Sequence, residues 1–213
     1  MSKQLKVMTL GATGQTGRHL LTNLLLNPSI SNITDAGRRS AIDSGITLGT
    51  TRKNAGSAER FETIDRGYPV LFAKLARDTN KKPQTLVYLS SSGASPTSPF
   101  LYPKSKGLTE LELSALGYDQ TIVFRPGYLA GTNRNESRMA ESIFGKVMGL
   151  ASFVTDSAQI PVSSLGLAIS KAGVLGYSGL EKHGIGSKVS GKDGHEFWLL
   201  GNADAIKLAQ LDT

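Results

Sequence analysis

The fold is decided near the start of the chain, by residues 5–10 (LKVMTL), residues 11–17 (GATGQTG) and residues 18–26 (RHLLTNLLL). A short apolar run gives way to three glycines spaced three apart, and a segment with leucines at helical spacing follows. Strand, glycine turn and helix in this order are the context of a dinucleotide-binding loop. Gly11 would permit a tight turn out of the strand, and Gly14 would let the backbone approach a pyrophosphate. Gly17 would let the helix pack closely on the strand.

The three-glycine pattern is a weak signal by itself, because the chain contains 24 glycines among its 213 residues. The alternative is an ordinary turn between a strand and a helix. The flanking strand and helix favour the interpretation as a cofactor loop, since the helix N-terminus offers unpaired N–H groups to an anion.

Length and composition indicate one α/β domain over residues 1–213, with 39% apolar residues. The absence of cysteine excludes disulfides and thiolate metal sites, and the three histidines have no spacing typical of metal ligands. We therefore expect no metal. No apolar run approaches the ~20 residues of a membrane span. Residues 1–10 are assigned to the first strand, so no targeting peptide is expected.

The chain is basic, with a formal net charge of +7. A basic surface can attract nucleic acid, anionic lipid or a phosphorylated ligand. Here the lysines and arginines are scattered, and no recognisable nucleic-acid module accompanies them. A solvated basic surface around an anionic cofactor is the favoured interpretation, and no nucleic-acid partner is expected.

A second strand, predicted over residues 30–34, leads into Asp35 and then Arg38 and Arg39. An acidic residue at this place binds the 2′-hydroxyl of NAD, whereas arginine accepts the 2′-phosphate of NADP. Two adjacent arginines favour NADP. Asp35 weakens that case, because an acidic residue favours NAD, but NADP stays the preferred prediction.

Residues 46–52 form another predicted strand, which only residues 40–45 separate from the arginine pair. A parallel crossover needs a dozen or more residues. Either this strand runs antiparallel beside its predecessor, or a helix–strand unit is missing after the second strand. We favour the missing unit.

Further predicted elements alternate along the rest of the chain. They are a helix over residues 54–80 with a kink or break near Gly67, a strand over 86–89, a helix over 103–116, a strand over 121–124, a helix over 139–148, an apolar segment over 165–175, an edge strand over 197–200 and a helix over 203–211.

Tyr102 and Lys106 stand one helical turn apart, on one face of a predicted helix. A nearby ammonium favours the charged phenolate, which makes such a phenol usable as an acid–base catalyst. Ser91 and Ser92 follow a predicted buried strand and could hydrogen-bond a carbonyl group. The alternative is chance, because this spacing and serine-rich loops are both common.

The ordered set of motifs resembles an NADP-dependent short-chain dehydrogenase/reductase. It is similar to the atypical branch that includes the Tat-interacting protein of 30 kDa and its fungal mitochondrial outer-membrane relatives. Residues 49–57 (GTTRKNAGS), 90–95 (SSSGAS) and 102–107 (YPKSKG) carry the resemblance, which covers nearly the whole chain. It implies a Rossmann-like, doubly wound and mostly parallel sheet.

The resemblance also implies roles for individual residues. Tyr102 would exchange a proton with the substrate. Lys106 would activate Tyr102 and anchor the ribose of the cofactor, and Ser91 or Ser92 would orient the carbonyl. The cofactor would be bound by Gly11, Thr13, Gly14, Gln15, Thr16 and Gly17 at the pyrophosphate, Arg38 or Arg39 at the 2′-phosphate, Thr50, Thr51 and Arg52 beside it, and Arg125, Pro126 and Gly127 near the nicotinamide.

Two functions therefore stay open. The first is an NADP-dependent oxidoreductase acting on a small carbonyl or alcohol, with residues 128–181 covering the substrate. The second is a non-catalytic NADP(H)-binding scaffold or regulatory protein, peripheral to a membrane. By resemblance the protein would lie on the cytosolic face of the mitochondrial outer membrane, and otherwise in the cytoplasm. The sequence does not determine the oligomeric state.

Overall fold

The computed structural model describes residues 4–36, 56–131 and 159–212. Strands and helices alternate along these residues. In chain order the elements are β1 (Leu5–Thr9), α1 (Gln15–Leu26), β2 (Ile30–Asp35), α2 (Ala58–Glu62), a π-helical turn (Thr63–Gly67), α3 (Tyr68–Ala76), β3 (Thr85–Leu89), α4 (Leu101–Ser114), β4 (Gln120–Phe124), β5 (Tyr128–Ala130), β6 (Gln159–Pro161), α5 (Val162–Lys182), β7 (Ser187–Ser190), a 3-10 turn (Lys192–Gly194), β8 (Glu196–Leu200) and α6 (Asn202–Gln210).

The first unit is strand, glycine turn, helix and strand, as the sequence predicts. β1 and β2 pair in parallel, with Val7 opposite Ile33 and Thr9 opposite Asp35. Helix α1 packs against α5. The approach is close, since a Cβ on Gly166 of α5 would lie 2.7 Å from the Cβ of His19.

The helical segment before β3 is continuous rather than broken near Gly67. Ser57 caps α2, its side chain accepting a hydrogen bond from the backbone N–H of Arg60. The π-helical turn then joins α2 to α3 without a break. Pro69 lies in the first turn of α3, where its fixed φ and missing N–H are tolerated. The predicted irregularity near Gly67 is therefore a π-helical turn and not a break in the helix.

The main sheet has the strand order β3-β4-β8-β7. The first two pairings are parallel and the last is antiparallel. The prediction of an edge strand over residues 197–200 is wrong, because β8 has a neighbour on each side. The outer strand is β7, which alternates too weakly in polarity to be recognised from the sequence.

The core lies between the main sheet and helices α5 and α6. Helix α5 contributes Leu165, Ala168 and Ala172, all fully buried, and they pack with Ile122 and Phe124 of β4. Strand β4 is buried along most of its length, as expected for a parallel strand covered on both faces.

The predicted fold class is confirmed: the structure is α/β, with mainly parallel strands in a Rossmann-like arrangement. The short β5 and β6 form a further parallel pair. The predicted missing unit, the strand over 46–52 and the helix over 139–148 all lie outside the described residues. Within the described ranges, no helix is both long enough and apolar enough to cross a membrane.

Candidate functional site

The glycine loop connects β1 to α1 in a tight turn. Gly11 has a φ of 86°, and the N–H of Gly14 donates to the carbonyl of Gly11 over 2.9 Å. Gly14 is the N-cap residue of α1, and no side chain in the described ranges caps it. The first turn of α1 also carries no acidic residue. The N-terminus of this helix is thus suited to a phosphate group.

Gly17 lies where the helix meets the loop. A Cβ at this position would come within 2.1 Å of the Gly11 carbonyl oxygen and 3.0 Å of the Cα of Ala12. Only hydrogen fits there. The third glycine of the motif is therefore required for packing, as the motif predicts.

Asp35 ends β2 beside the glycine loop. Its carboxylate accepts a hydrogen bond of 2.9 Å from the hydroxyl of Thr9, the last residue of β1. The carboxylate is therefore held at the end of β2, where ribose hydroxyls bind in dinucleotide folds. Arg38 and Arg39, predicted to bind a 2′-phosphate, lie outside the described residues, as do Thr50, Thr51 and Arg52.

Three consecutive serines follow β3 at its carboxyl end. The hydroxyl oxygens of Ser90, Ser91 and Ser92 are buried and have no hydrogen-bond partner among the described residues. Leaving a buried hydroxyl unpaired costs about 1–3 kcal/mol. Such a row of hydroxyls is suited to a polar ligand that supplies the missing hydrogen bonds.

The loop after β4 is fixed next to these serines. The N–H of Ser92 donates to the carbonyl of Pro126 over 2.9 Å. The N–H of Gly127 donates to the side-chain oxygen of Asn202 over 2.8 Å. Two of the predicted site segments, the serines and residues 125–127, are therefore brought together.

Arg125 itself is bound to a buried carboxylate. Its Nε donates to Oε1 of Glu110 over 3.0 Å, and its Nη2 donates to Oε2 over 2.5 Å. Glu110 is 1% exposed. The guanidinium thus joins the end of β4 to helix α4, which also carries Tyr102 and Lys106.

Helix α4 places Tyr102 and Lys106 one turn apart, as predicted. The ammonium nitrogen of Lys106 lies 5.9 Å from the centre of the Tyr102 ring. Its hydrogen bond, however, goes to the hydroxyl of Tyr88 on β3, over 3.2 Å. The ring of Tyr102 contacts that of Phe61, with 6.2 Å between the centroids.

Lys106 is mostly buried, and an acidic residue lies near it. Oδ1 of Asp65, on the π-helical turn, lies 4.0 Å from the ammonium nitrogen. Burial alone would lower the pKa of Lys106, but Tyr88, Tyr102 and Asp65 together raise it above its usual value. The ammonium therefore stabilises the fold at neutral pH, and that contribution is lost only as the pH rises through the raised pKa.

Tyr88, Asp65 and Glu110 are not among the site residues that the sequence predicts. One signal for Asp65 was present, since it stands four residues after Phe61 on a predicted apolar helix face. Tyr88 lies in a predicted buried strand, where a tyrosine is ordinary. Glu110 stands one helical turn after Lys106, on the face that carries the pair.

Comparison with models of known protein families finds no match. The chain is 32% identical to the mitochondrial protein fmp52 of Aspergillus fumigatus, with 94% of this chain and 97% of the relative covered. It is 33% identical to the mitochondrial protein fmp52-1 of Aspergillus terreus, with 96% and 98% covered. Among solved structures, a Bacillus halodurans protein described as a candidate NAD-dependent epimerase/dehydratase superposes with a TM-score of 0.53 at 17% identity, covering 97% of this chain and 99% of the other. That likeness shows the shared fold.

Proposed function

Because the chain belongs to the family of the fungal Fmp52 mitochondrial proteins, which its motifs connect with the atypical short-chain dehydrogenase/reductases, we propose that it is an NADP(H)-dependent oxidoreductase. Its substrate would be a small carbonyl compound or the corresponding alcohol. The observation that carries the proposal is the buried ammonium of Lys106 beside the phenols of Tyr88 and Tyr102. A buried cation beside a phenol favours the phenolate and so suits the phenol to acid–base chemistry on a carbonyl oxygen.

The described residues fit a dinucleotide at the glycine loop. The N-terminus of α1 has no side-chain cap among them, and a Cβ at Gly17 would clash with the turn. The pyrophosphate would be held by the backbone of Gly11, Thr13, Gly14, Gln15, Thr16 and Gly17. When bound, the nicotinamide supplies or accepts the hydride.

The protein's own residues would manage the proton. In carbonyl reduction, the hydroxyl of Tyr102 would give its proton to the carbonyl oxygen; in alcohol oxidation, the phenolate of Tyr102 would take the proton of the alcohol hydroxyl. Lys106 keeps a positive charge beside the phenol and so favours its anionic form. The unpaired hydroxyl of Ser91 or of Ser92 would donate to the same carbonyl oxygen and fix its orientation.

Tyr102→Phe should reduce turnover about 10²- to 10⁴-fold, the usual contribution of a positioned acid or base. Its affinity for NADPH should stay close to wild type, because the phenol hydroxyl acts on the substrate. Consumption of NADPH over a panel of small aldehydes and ketones measures turnover, and calorimetry measures affinity for NADPH and NADH. We expect the wild-type protein to bind NADPH more tightly than NADH.

Tyr68→Phe is the matched control, since Tyr68 lies on α3 with half of its surface exposed. That variant should retain wild-type turnover. If Tyr102→Phe were as active as Tyr68→Phe, the assigned proton transfer would be wrong.

The second candidate is an NADP(H)-binding scaffold or regulatory protein without useful catalysis. One observation favours it: the hydrogen bond of Lys106 goes to Tyr88 rather than to Tyr102. Tight NADPH binding, with no NADPH consumed over the carbonyl panel, would select this function over the oxidoreductase.

We also propose that the protein lies at the cytosolic face of the mitochondrial outer membrane, attached peripherally. The mitochondrial names of its relatives support a mitochondrial location, and the outer membrane and its cytosolic face are what the resemblance of the motifs implies. Protease added to intact mitochondria should degrade the protein, and alkaline carbonate should release it from the membrane. Protection from the protease until the outer membrane is opened would contradict the proposal.

A further inference from the structure

Asp65 is a buried carboxylate that none of the site motifs includes. It lies on the π-helical turn between α2 and α3 and is 6% exposed. Aspartate is almost never fully buried unless it is paired. The position of its side chain therefore calls for a specific explanation.

The ammonium group of Lys106 supplies that explanation. It meets groups from three elements: Asp65 of the π-helical turn at 4.0 Å, the hydroxyl of Tyr88 of β3 at 3.2 Å, and the ring of Tyr102 on its own helix at 5.9 Å. Of the described residues, these are the titratable groups that act on the pKa of Lys106. Asp65 is the acidic one among them.

The helical segment of Asp65 holds both members of the pair on α4. Phe61, four residues earlier, is 2% exposed and its ring contacts that of Tyr102. One turn along, Asp65 lies beside Lys106. The same segment thus contacts the phenol through an aromatic ring and the ammonium through a carboxylate.

From this geometry we propose that Asp65 is a positioning residue, whose carboxylate keeps the ammonium of Lys106 charged and held between Tyr88 and Tyr102. The role of Lys106 in catalysis rests on the proposed function, but the Asp65–Lys106 pair does not. Without the carboxylate, burial would act on an ammonium that has lost its anionic neighbour. The proton of Lys106 would then be lost at lower pH.

The direct test is an NMR titration of Lys106 in the protein without nucleotide. Lysine carrying ¹³C at the ε-carbon is incorporated, and Lys106→Arg identifies the resonance by its loss. Wild-type Lys106 should stay protonated to the highest pH at which the protein is folded, whereas in Asp65→Asn its pKa should fall by about 1–3 units, the range for an opposite charge at this distance. Circular dichroism establishes that the variant is folded.

Glu62→Gln is the matched control. It removes a carboxylate from the same helical segment, where Glu62 pairs with Arg66 at 2.8 Å. The Lys106 midpoint should stay unchanged in this variant. A folded Asp65→Asn protein with the wild-type midpoint would overturn the proposal.

Calorimetry with NADPH provides a second readout. Asp65→Asn should bind NADPH roughly tenfold more weakly, because a mispositioned ammonium loses a charged hydrogen bond to the ligand. Failure of the wild-type protein to bind NADPH or NADH would overturn the proposed function alone. The shift of the Lys106 midpoint would still support the pair.

If Asp65→Asn does not fold, the double variant Asp65→Asn/Lys106→Met decides. Recovery of a folded protein would support the pair, because the unpaired buried charge is then gone. If the double variant were as unstable as the single one, the instability would not come from an unpaired charge on Lys106, and the proposal would be overturned.

Discussion

Replacing Glu110 by alanine is expected to lower the free energy of unfolding by about 3 kcal/mol. The substitution leaves the guanidinium of Arg125 mostly buried without the carboxylate that binds two of its nitrogens. Because the Arg125 side chain is 26% exposed, water offsets part of the loss, and the low end of the range for a broken buried pair applies. Urea denaturation followed by circular dichroism measures the change.

The control is Glu112→Ala on the same helix. Glu112 pairs with Arg66 at 3.0 Å, but both side chains are about one third exposed, so the cost should stay below about 1 kcal/mol. The double variant Glu110→Leu/Arg125→Met should recover most of the lost stability, because it removes both charges and keeps the volume. Equal losses in Glu110→Ala and Glu112→Ala would show that burial adds nothing to the Arg125 pair.

The first unit of the fold could be predicted from the sequence because its determinants are local. A short apolar run, a glycine turn and leucines at helical spacing specify β1 and α1 without reference to the rest of the chain. The predicted strands over residues 86–89 and 121–124 each begin one residue later than β3 and β4 begin in the structure. Such an error is normal at element ends.

The buried face of α4 could not be predicted in the same way. The leucines of this helix indicate an apolar face, yet only Leu113 among them is buried. The residues that face inward are mostly small or polar: Pro103, Ser105, Gly107, Thr109, Glu110, Leu113 and Ser114. This face packs closely and carries the carboxylate of Glu110, whose partner among the described residues is Arg125 in the loop after β4.

Asp65 and Tyr88 were missed for a related reason. The sequence shows a charged residue in a helix and a tyrosine in a strand, and both are ordinary there. Their significance depends on Lys106, which stands 41 and 18 residues away along the chain. Only the packing of the π-helical turn and β3 against α4 brings these groups together.

Strand β7 escaped prediction because it is short, polar and mostly exposed. Its partner β8 is apolar enough to be recognised, but apolarity alone does not distinguish an inner strand from an edge strand. The predictions for Arg38, Arg39, Thr50, Thr51 and Arg52 stay predictions, because these residues lie outside the described ranges.

Gly17→Ala is expected to have a large effect on both stability and nucleotide binding. The added Cβ would lie 2.1 Å from the Gly11 carbonyl oxygen, and this neighbour is backbone, so the turn itself must move. Overpacking of this kind costs up to about 3 kcal/mol. A shift of the turn should weaken NADPH binding by about 10- to 100-fold, the loss expected when one hydrogen bond to a charged group is removed. Thermal unfolding and calorimetry measure the two effects.

Gly173→Ala separates this clash from the general effect of adding a methyl group to a helical glycine. Gly173 lies within α5, and a Cβ there would be 3.8 Å from the nearest atom, a methyl carbon of Val87, which is ordinary contact. This substitution should leave NADPH binding unchanged and stabilise the protein by up to about 1 kcal/mol, through the higher helix propensity of alanine. If Gly17→Ala matched Gly173→Ala in both measurements, the turn would have room for a side chain, and the phosphate-binding role of residues 11–17 would lose its structural basis.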